Sequence, residues 1–402
     1  NATGFPFAAC SIGQAFRNEI APRCSLLRVR EFTLAEIEHF LNPEEKDHPK
    51  FASVSKICVS LLSRETQEAG TDAVEMEIGD AVKNGVIDNE TLGYFIGRVH
   101  SFMVSIGVKF FRFRQHLATE MAHYAQDCWD CELLTSYGWM ECVGIADRSA
   151  YDLKAHSEAT KKEFTVWEAF KEPKTEVILE RKIHTGLIGK KLGKKTKMIE
   201  TYLKSISDAD AMQMDEELEK NASKAVQIDG IDEPVTIERA MVSFAKANHL
   251  VYGRNFIPAI VETSFGIGRI LYSLLEQTYE IRSQGSAKSE TRALFSIIPC
   301  LAPWKVALFP LMCKTELTTP LEALHKRFVK AHIESRIDCT GAAIGKKYAR
   351  VDEIGIPFAI TVDYETLSHD TVTLRNRDSM DQIRIPVKDV VDVVRDMCTV
   401  DG

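Results

Sequence analysis

Apolar and polar residues alternate from Phe5 to Phe40, broken at 21–25 by the stretch Ala-Pro-Arg-Cys-Ser, a pattern that predicts two long antiparallel strands joined by a loop. Leu92, Phe95, Ile96, Val99, Phe102 and Met103 then recur at helical spacing, which predicts a helix over 91–106. From Lys109 to Asp152 the chain is rich in aromatic and β-branched residues with little helical period, so further antiparallel strands are expected. Charged residues crowd in at Lys154 and the apolar pattern thins until Ala245. Strand-like sequence returns at 256–261 and runs into a helical pattern over 266–276, so 154–245 reads as an insertion interrupting one domain.

A polar stretch at 282–290 marks a linker. Beyond it, strand-like 304–309, helical 320–332, strand-like 337–339, helical 344–354 and strand-like 358–363 alternate, as in a compact α/β domain. The boundaries that follow are 1–153 and 246–290 for a sheet-centred first domain, 154–245 for its insertion, and 291–402 for the last domain.

Composition narrows the class. With 402 residues, 45% hydrophobic and 27% charged, the chain has material for two or three cores and is neither disordered nor collagen-like. Its longest apolar runs, such as 306–313, are far too short to span a bilayer. Ten scattered cysteines give no disulfide framework and no four-ligand zinc pattern, which points to a reducing, cytoplasmic home. Cys128 and Cys131 form the single local pair and read as two small strand residues rather than a redox motif or half a zinc site. A net charge of −8 argues against a protein that coats nucleic acid generally, although local basic patches remain able to bind RNA. One such patch is interleaved with glycines at 181–197, and it reads equally as a solvated face or as an RNA backbone contact.

Two blocks carry chemistry. In the first, Arg17 and Glu19 share one face of a strand, and after a loop Arg28, Phe32 and Glu36 share another. Two guanidinium groups, a ring and two carboxylates on one surface are too many charges for a core, because each unpaired buried ion costs several kcal/mol. Arginines fork onto phosphates, a ring stacks on a base and carboxylates accept an ammonium, so the set suits nucleotide activation. The second block, Glu262, Thr263, Ser264, Gly266, Gly268 and Arg269, sits at a strand-to-helix junction, where glycines allow close approach and the helix N-terminus favours negative charge.

The first block, Phe-Arg-x-Glu followed by Arg-x-x-x-Phe-x-x-x-Glu, resembles motif 2 of the class II aminoacyl-tRNA synthetases, and the second resembles motif 3. Between them, residues 114–116, 120–125, 127–130 and 136–139 are similar to the eukaryotic and archaeal dimeric type of glycyl-tRNA synthetase, as are 344–355 and 374–380. The likeness covers nearly the whole chain and is weakest in the insertion. It implies an α+β fold: an antiparallel-sheet catalytic domain with an inserted α+β region that meets the tRNA acceptor arm, followed by an anticodon-binding α/β domain with a mixed sheet.

The resemblance also implies roles. ATP would be held by Arg17, Asn18, Glu19, Arg28, Val29, Phe32, Glu141, Cys142 and Arg269, with Phe32 stacking on adenine, Arg17 and Arg269 acting on the phosphates as the catalytic pair, and Glu141 helping to hold Mg²⁺. Glycine would be held by Glu36, Arg148, Glu262, Thr263 and Ser264; the family has proline where Thr263 stands. Arg350, Asp352 and Arg377 would read the anticodon of tRNA(Gly), or equally form a local salt-bridge network. His116 and His123 read as structural histidines rather than proton shuttles. The intact protein is expected to be a homodimer without a membrane segment, cytoplasmic with a mitochondrial form possible. The chain opens at Asn1, downstream of the family's motif 1, and so reads as a fragment. A catalytically silent relative, acting as a nucleic-acid-binding or polymerase accessory subunit, is the alternative; such a relative would be expected to lose the phosphate-binding arginines.

Overall fold

The computed structural model describes residues 5–22, 27–121, 124–231, 233–282 and 292–399, which form two compact units. The first comprises 1–164 and 257–402, the second 165–256.

Chain order begins with β1 (Phe7–Phe16), β2 (Glu31–Leu41), β3 (Cys58–Leu62), β4 (Val74–Glu77), β5 (Phe111–Gln115), β6 (Asp127–Thr135) and β7 (Gly138–Ser149). The second unit contributes β8 (Val166–Ile183), β9 (Ser223–Val226), β10 (Val235–Glu238) and β11 (Val242–Phe256). The chain then returns to the first unit with β12 (Ala259–Gly266), β13 (Tyr279–Arg282) and β14 (Arg292–Phe295). It closes with β15 (Val306–Pro310), β16 (Ser335–Ile337), β17 (Phe358–Val362), β18 (Thr371–Asn376) and β19 (Gln382–Pro386).

The central sheet has eight strands in the order β1-β2-β12-β7-β6-β5-β3-β4, all neighbours antiparallel except β3 with β5. Its core face packs against the helix Glu90–Ser105, one residue from its expected span, through Leu92, Ile96, Val99 and Met103. Each of these burials contributes roughly 1.5–3 kcal/mol. The Asn89 side chain caps the helix by accepting from Leu92 N at 2.9 Å. Gly97 lets the helix approach closely, because a Cβ there would stand 2.6 Å from Val54 Cβ. The second helix against this face, Ile267–Thr278, buries Ile270 and Leu274. β1 is an edge strand exposed along nearly its whole length.

The insertion differs in extent from the expected 154–245. Residues 154–164 stay with the first unit, where the unanticipated helix Tyr151–Thr160 follows β7, while β11 continues to Phe256 in register with Val166 of β8. Charge density marked a change of surface there, whereas the boundary is set by strand pairing. Within this second unit, the helices Thr185–Leu192, Thr196–Ser205 and Asp208–Asn221 bury Ile188, Ile199, Leu203 and Leu218 in its own core.

The C-terminal part is a mixed five-stranded sheet in the order β16-β15-β17-β18-β19, with β15 parallel to β16 and β17 and the remaining pairs antiparallel. Its first helix runs Thr315–Lys330, five residues earlier than the expected start at Pro320, which lies inside it. Of the expected linker 282–290, Arg282 ends β13 and residues 283–290 lie outside the described residues. Among the described residues no helix is long and apolar enough to cross a membrane.

Candidate functional site

The face of the central sheet opposite the helix Glu90–Ser105 carries the polar residues in rows across the strands. Glu36 of β2, Ser264 of β12, Gly144 of β7, Asp130 of β6 and Arg114 of β5 stand side by side in register. The adjacent row holds Glu38, Glu262, Ala146 and Cys128, and His116 extends it by donating its backbone N–H to Cys128 O at 2.9 Å. Cross-strand partners share a face, so the register alone gathers these groups from five strands.

Two irregularities of β7 complete the set. The register slips between Cys131 and Glu132, which makes Cys142 an extra residue and turns Glu141 onto the same side as Gly144 and Ala146. A second slip, between Ile260 and Val261, lies opposite Arg148. Its guanidinium meets Asp152 Oδ2 at 2.7 Å and Glu262 Oε2 at 3.0 Å, and lies 4.3 Å from the centre of the Tyr124 ring. The neighbouring Asp147 is fully buried and accepts from Lys46 Nζ at 2.6 Å and Asn89 Nδ2 at 2.9 Å.

A pocket of about 290 Å³ opens over this surface. Of the residues expected to bind ATP, Arg17, Glu19, Arg28, Val29, Phe32, Glu141, Cys142 and Arg269 line it; of those expected to bind glycine, Arg148, Glu262 and Ser264 do. The Arg17 guanidinium lies 5.8 Å from the Phe32 ring centre. Arg269, in the first turn of the helix Ile267–Thr278, donates to Glu141 O at 2.7 Å and Leu27 O at 3.0 Å, bracing the loop before β2 against β7. Glu36 lies beside the pocket, next to Glu262 and to Ser264, whose hydroxyl donates to Glu262 Oε1 at 2.8 Å.

Three expectations need correction. Asn18 is exposed and, unlike its neighbours Arg17 and Glu19, does not line the pocket. Thr263 is fully buried with its hydroxyl unpartnered: alternation along β12 sends it to the core face while Glu262 and Ser264 face the pocket. In the C-terminal sheet, Asp352 and Arg377 are closed off from any base. Asp352 is held by both Nη atoms of Arg375, at 2.8 and 3.0 Å, and Arg377, only 1% exposed, donates to Gly355 O and Ile297 O. Arg350 alone of that trio is exposed, beside a concavity containing Asp338, Arg336 and Thr340.

Titration behaviour reflects a crowded site. The Glu36 carboxyl is raised above its ordinary range by loss of water, then by Glu262 and Glu38, against which Arg148 and Ser264 pull. Loss of water and the neighbouring Asp130 raise Glu141, offset by Arg269 and Arg17. His116 is pushed up to about 10, chiefly by its 2.7 Å bond to Asp130. Glu36 and Glu141 thus hold protons more readily than free carboxyls.

Sequence reasoning passed over Tyr124, Glu120 and Asp130, which also line the pocket. Asp130 was accessible by parity, since it shares a strand face with Cys128; that parity also sends Cys131 to the opposite, fully buried face and removes the pair as a redox motif. His123 lies outside the described residues.

Comparison with known proteins adds to this geometry. A family model described as an anticodon binding domain matches residues 305–397. Over 399 residues, 98% of its length, the chain is 45% identical to glycine–tRNA ligase 1, mitochondrial, of Saccharomyces cerevisiae, covering 57% of that protein. It is 43% identical to the glycine–tRNA ligase of Bombyx mori over 98% of this chain and 53% of that one. With the glycine–tRNA ligase of Methanococcus vannielii the identity is 40%, over 97% of this chain and 68% of that one. The chain therefore spans between about half and two thirds of the length of these curated relatives.

Proposed function

This chain belongs to the glycine–tRNA ligase family, and on that premise we propose that its pocket joins glycine to ATP and passes the glycyl group to tRNA(Gly). The observation that carries the proposal is the meeting of two kinds of charge in one pocket: the arginines Arg17, Arg28, Arg148 and Arg269, and acids that include Glu141 and Glu262, with Ser264. The fold, an eight-stranded largely antiparallel sheet followed by a mixed-sheet domain, suits the class II synthetase arrangement.

Arg17 and Arg28 bind the phosphates of ATP, and Arg17 and Arg269 stabilise the charge that develops as the glycine carboxylate attacks the α-phosphorus and pyrophosphate departs. Phe32 stacks on the adenine, whose edge Glu19 meets. The glycine ammonium lies among Glu262, Glu36 and Ser264 Oγ, which accept its protons; Arg148, braced by Asp152, meets the carboxylate. Orientation of the two substrates supplies much of the rate, and no side chain acts as general base. Glycine is chosen by its ammonium and by walls that leave no space for a larger side chain, exclusion of a larger substrate being easier than exclusion of a smaller one.

Glu141 would hold Mg²⁺ in the pocket, since its carboxylate oxygens are the ligand type that a hard cation takes. When bound with ATP, Mg²⁺ supplies charge neutralisation for the phosphates.

Residues 305–397 hold the anticodon, with exposed Arg350 at its concavity, and the insertion approaches the acceptor arm.

The test is glycine-dependent exchange of pyrophosphate into ATP. Exchange with glycine and none above background with alanine or serine is the expected result; exchange absent with glycine, or equal with all three, overturns the reading.

A further inference from the structure

One cluster in the pocket is given no role in the glycine activation proposed above. The imidazole of His116, the thiol of Cys128 and the carboxylate of Asp130 present ligand atoms that all lie within 4.8 Å of one another. All three residues line the pocket.

The cluster is held by backbone. Cys128 and Asp130, two residues apart, occupy the pocket face of β6, and His116 stands across from Cys128 through its 2.9 Å backbone hydrogen bond. Arg64 braces both sides, donating Nε to His116 O at 2.6 Å and Nη2 to Asp127 Oδ1 at 2.9 Å. Donors fixed by paired strands need little ordering to converge on a guest.

One nitrogen, one sulfur and one oxygen suit a borderline-soft divalent ion, whereas Mg²⁺ takes oxygen ligands and prefers to keep its water. Zinc bonds of about 2.0–2.3 Å to such ligands place the donor atoms roughly 3.3–3.8 Å apart in a tetrahedron. The donors lie within 4.8 Å of one another; the 2.7 Å contact between His116 Nε2 and Asp130 Oδ2 has to open, and the protons held by the imidazole and the thiol have to leave, as the metal binds. Three protein ligands leave the fourth position free, and here it faces the pocket.

We propose that His116, Cys128 and Asp130 form a three-ligand site for zinc or a similar thiophilic divalent cation on the wall of the pocket, its fourth position open to whatever the pocket holds. The site stands on these donors alone, whether or not the pocket activates glycine.

Titration of the full chain with Co²⁺, in the absence of nucleotide, tests it. The thiolate-to-cobalt charge-transfer band is expected to saturate at one ion per chain, to vanish in Cys128→Ser, and to need about tenfold more metal or greater in His116→Gln. A band unchanged in either variant overturns the proposal. Where a variant fails to fold, alkylation of the wild-type thiols with and without zinc, mapped by peptide mass, decides the same question. Zinc is expected to slow alkylation at Cys128 and not at exposed Cys58; equal slowing at both, or none at Cys128, overturns it.

Discussion

Two sheets of the same chain carry arginines and carboxylates, and they treat them in opposite ways. In the C-terminal sheet, Arg375 and Asp352 close a two-pronged pair at 5% exposure each, and Arg377 spends its donors on the carbonyls of Gly355 and Ile297 and on its neighbour Asp378. Over the central sheet, Arg17, Arg28, Glu36 and Glu141 stand at an opening, with Glu36 and Glu141 raised by loss of water and by neighbouring acids. Mutual saturation makes the first set structural, whereas incomplete saturation at an opening makes the second receptive to a ligand.

Breaking each set should therefore cost different things. Asp352→Ala leaves the buried Arg375 guanidinium without its counter-charge and is expected to destabilise the chain by about 3–5 kcal/mol in urea unfolding, with glycine-dependent exchange surviving below the transition. Arg17→Ala should do the reverse: exchange falls by about 10²–10³-fold while the unfolding midpoint hardly moves. A large loss of stability in the second variant, or none in the first, would erase the distinction. Glu262→Gln removes a charge-assisted acceptor and is expected to raise the glycine KM by about ten- to a hundredfold, with the ATP KM little changed. Thr263→Val replaces a fully buried hydroxyl that has no partner by a methyl of similar shape and should stabilise by about 1 kcal/mol in the same denaturation series.

Acid sharpens the contrast further. Arg384 holds the Asp363 carboxyl below its ordinary 3.8, so its stabilisation is present above that value and is lost as pH falls through the folded pKa. Glu36 is raised above 4.5, so its contribution is present below 4.5 and is lost as pH rises through the folded pKa. Near neutral pH, Asp363→Asn should therefore destabilise and Glu36→Gln should stabilise, and both differences should shrink on acidification. Denaturant midpoints measured across that range check the two signs together.

Much of the site could be read before the fold. Strand parity brought Phe32, Glu36, Glu262 and Ser264 to one surface, and the strand-to-helix junction at Gly266 put Arg269 in a first helical turn. Parity also contained the warning that Thr263 faces the other way, a reading the motif resemblance overrode. Glu141 could not be oriented from sequence, because its direction depends on the extra residue Cys142, and a bulge exists only in relation to the partner strand. The closure of Asp352 and Arg377 was hidden for a related reason: their partners Arg375 and Ile297 are brought in by the fold, 23 and 80 residues away along the chain, rather than by local spacing. The insertion was legible as a change of charge, but its ends belong to the pairing of β8 with β11.

The central claim is that the arginines and the acids of the pocket serve one ligand together. Thermal unfolding with the sulfamoyl analogue of glycyl-adenylate tests it most directly. The account predicts a rise in midpoint for the wild-type chain that is largely lost in both Arg17→Ala and Glu262→Gln; a rise that survives in either variant, or none in the wild type, would contradict it.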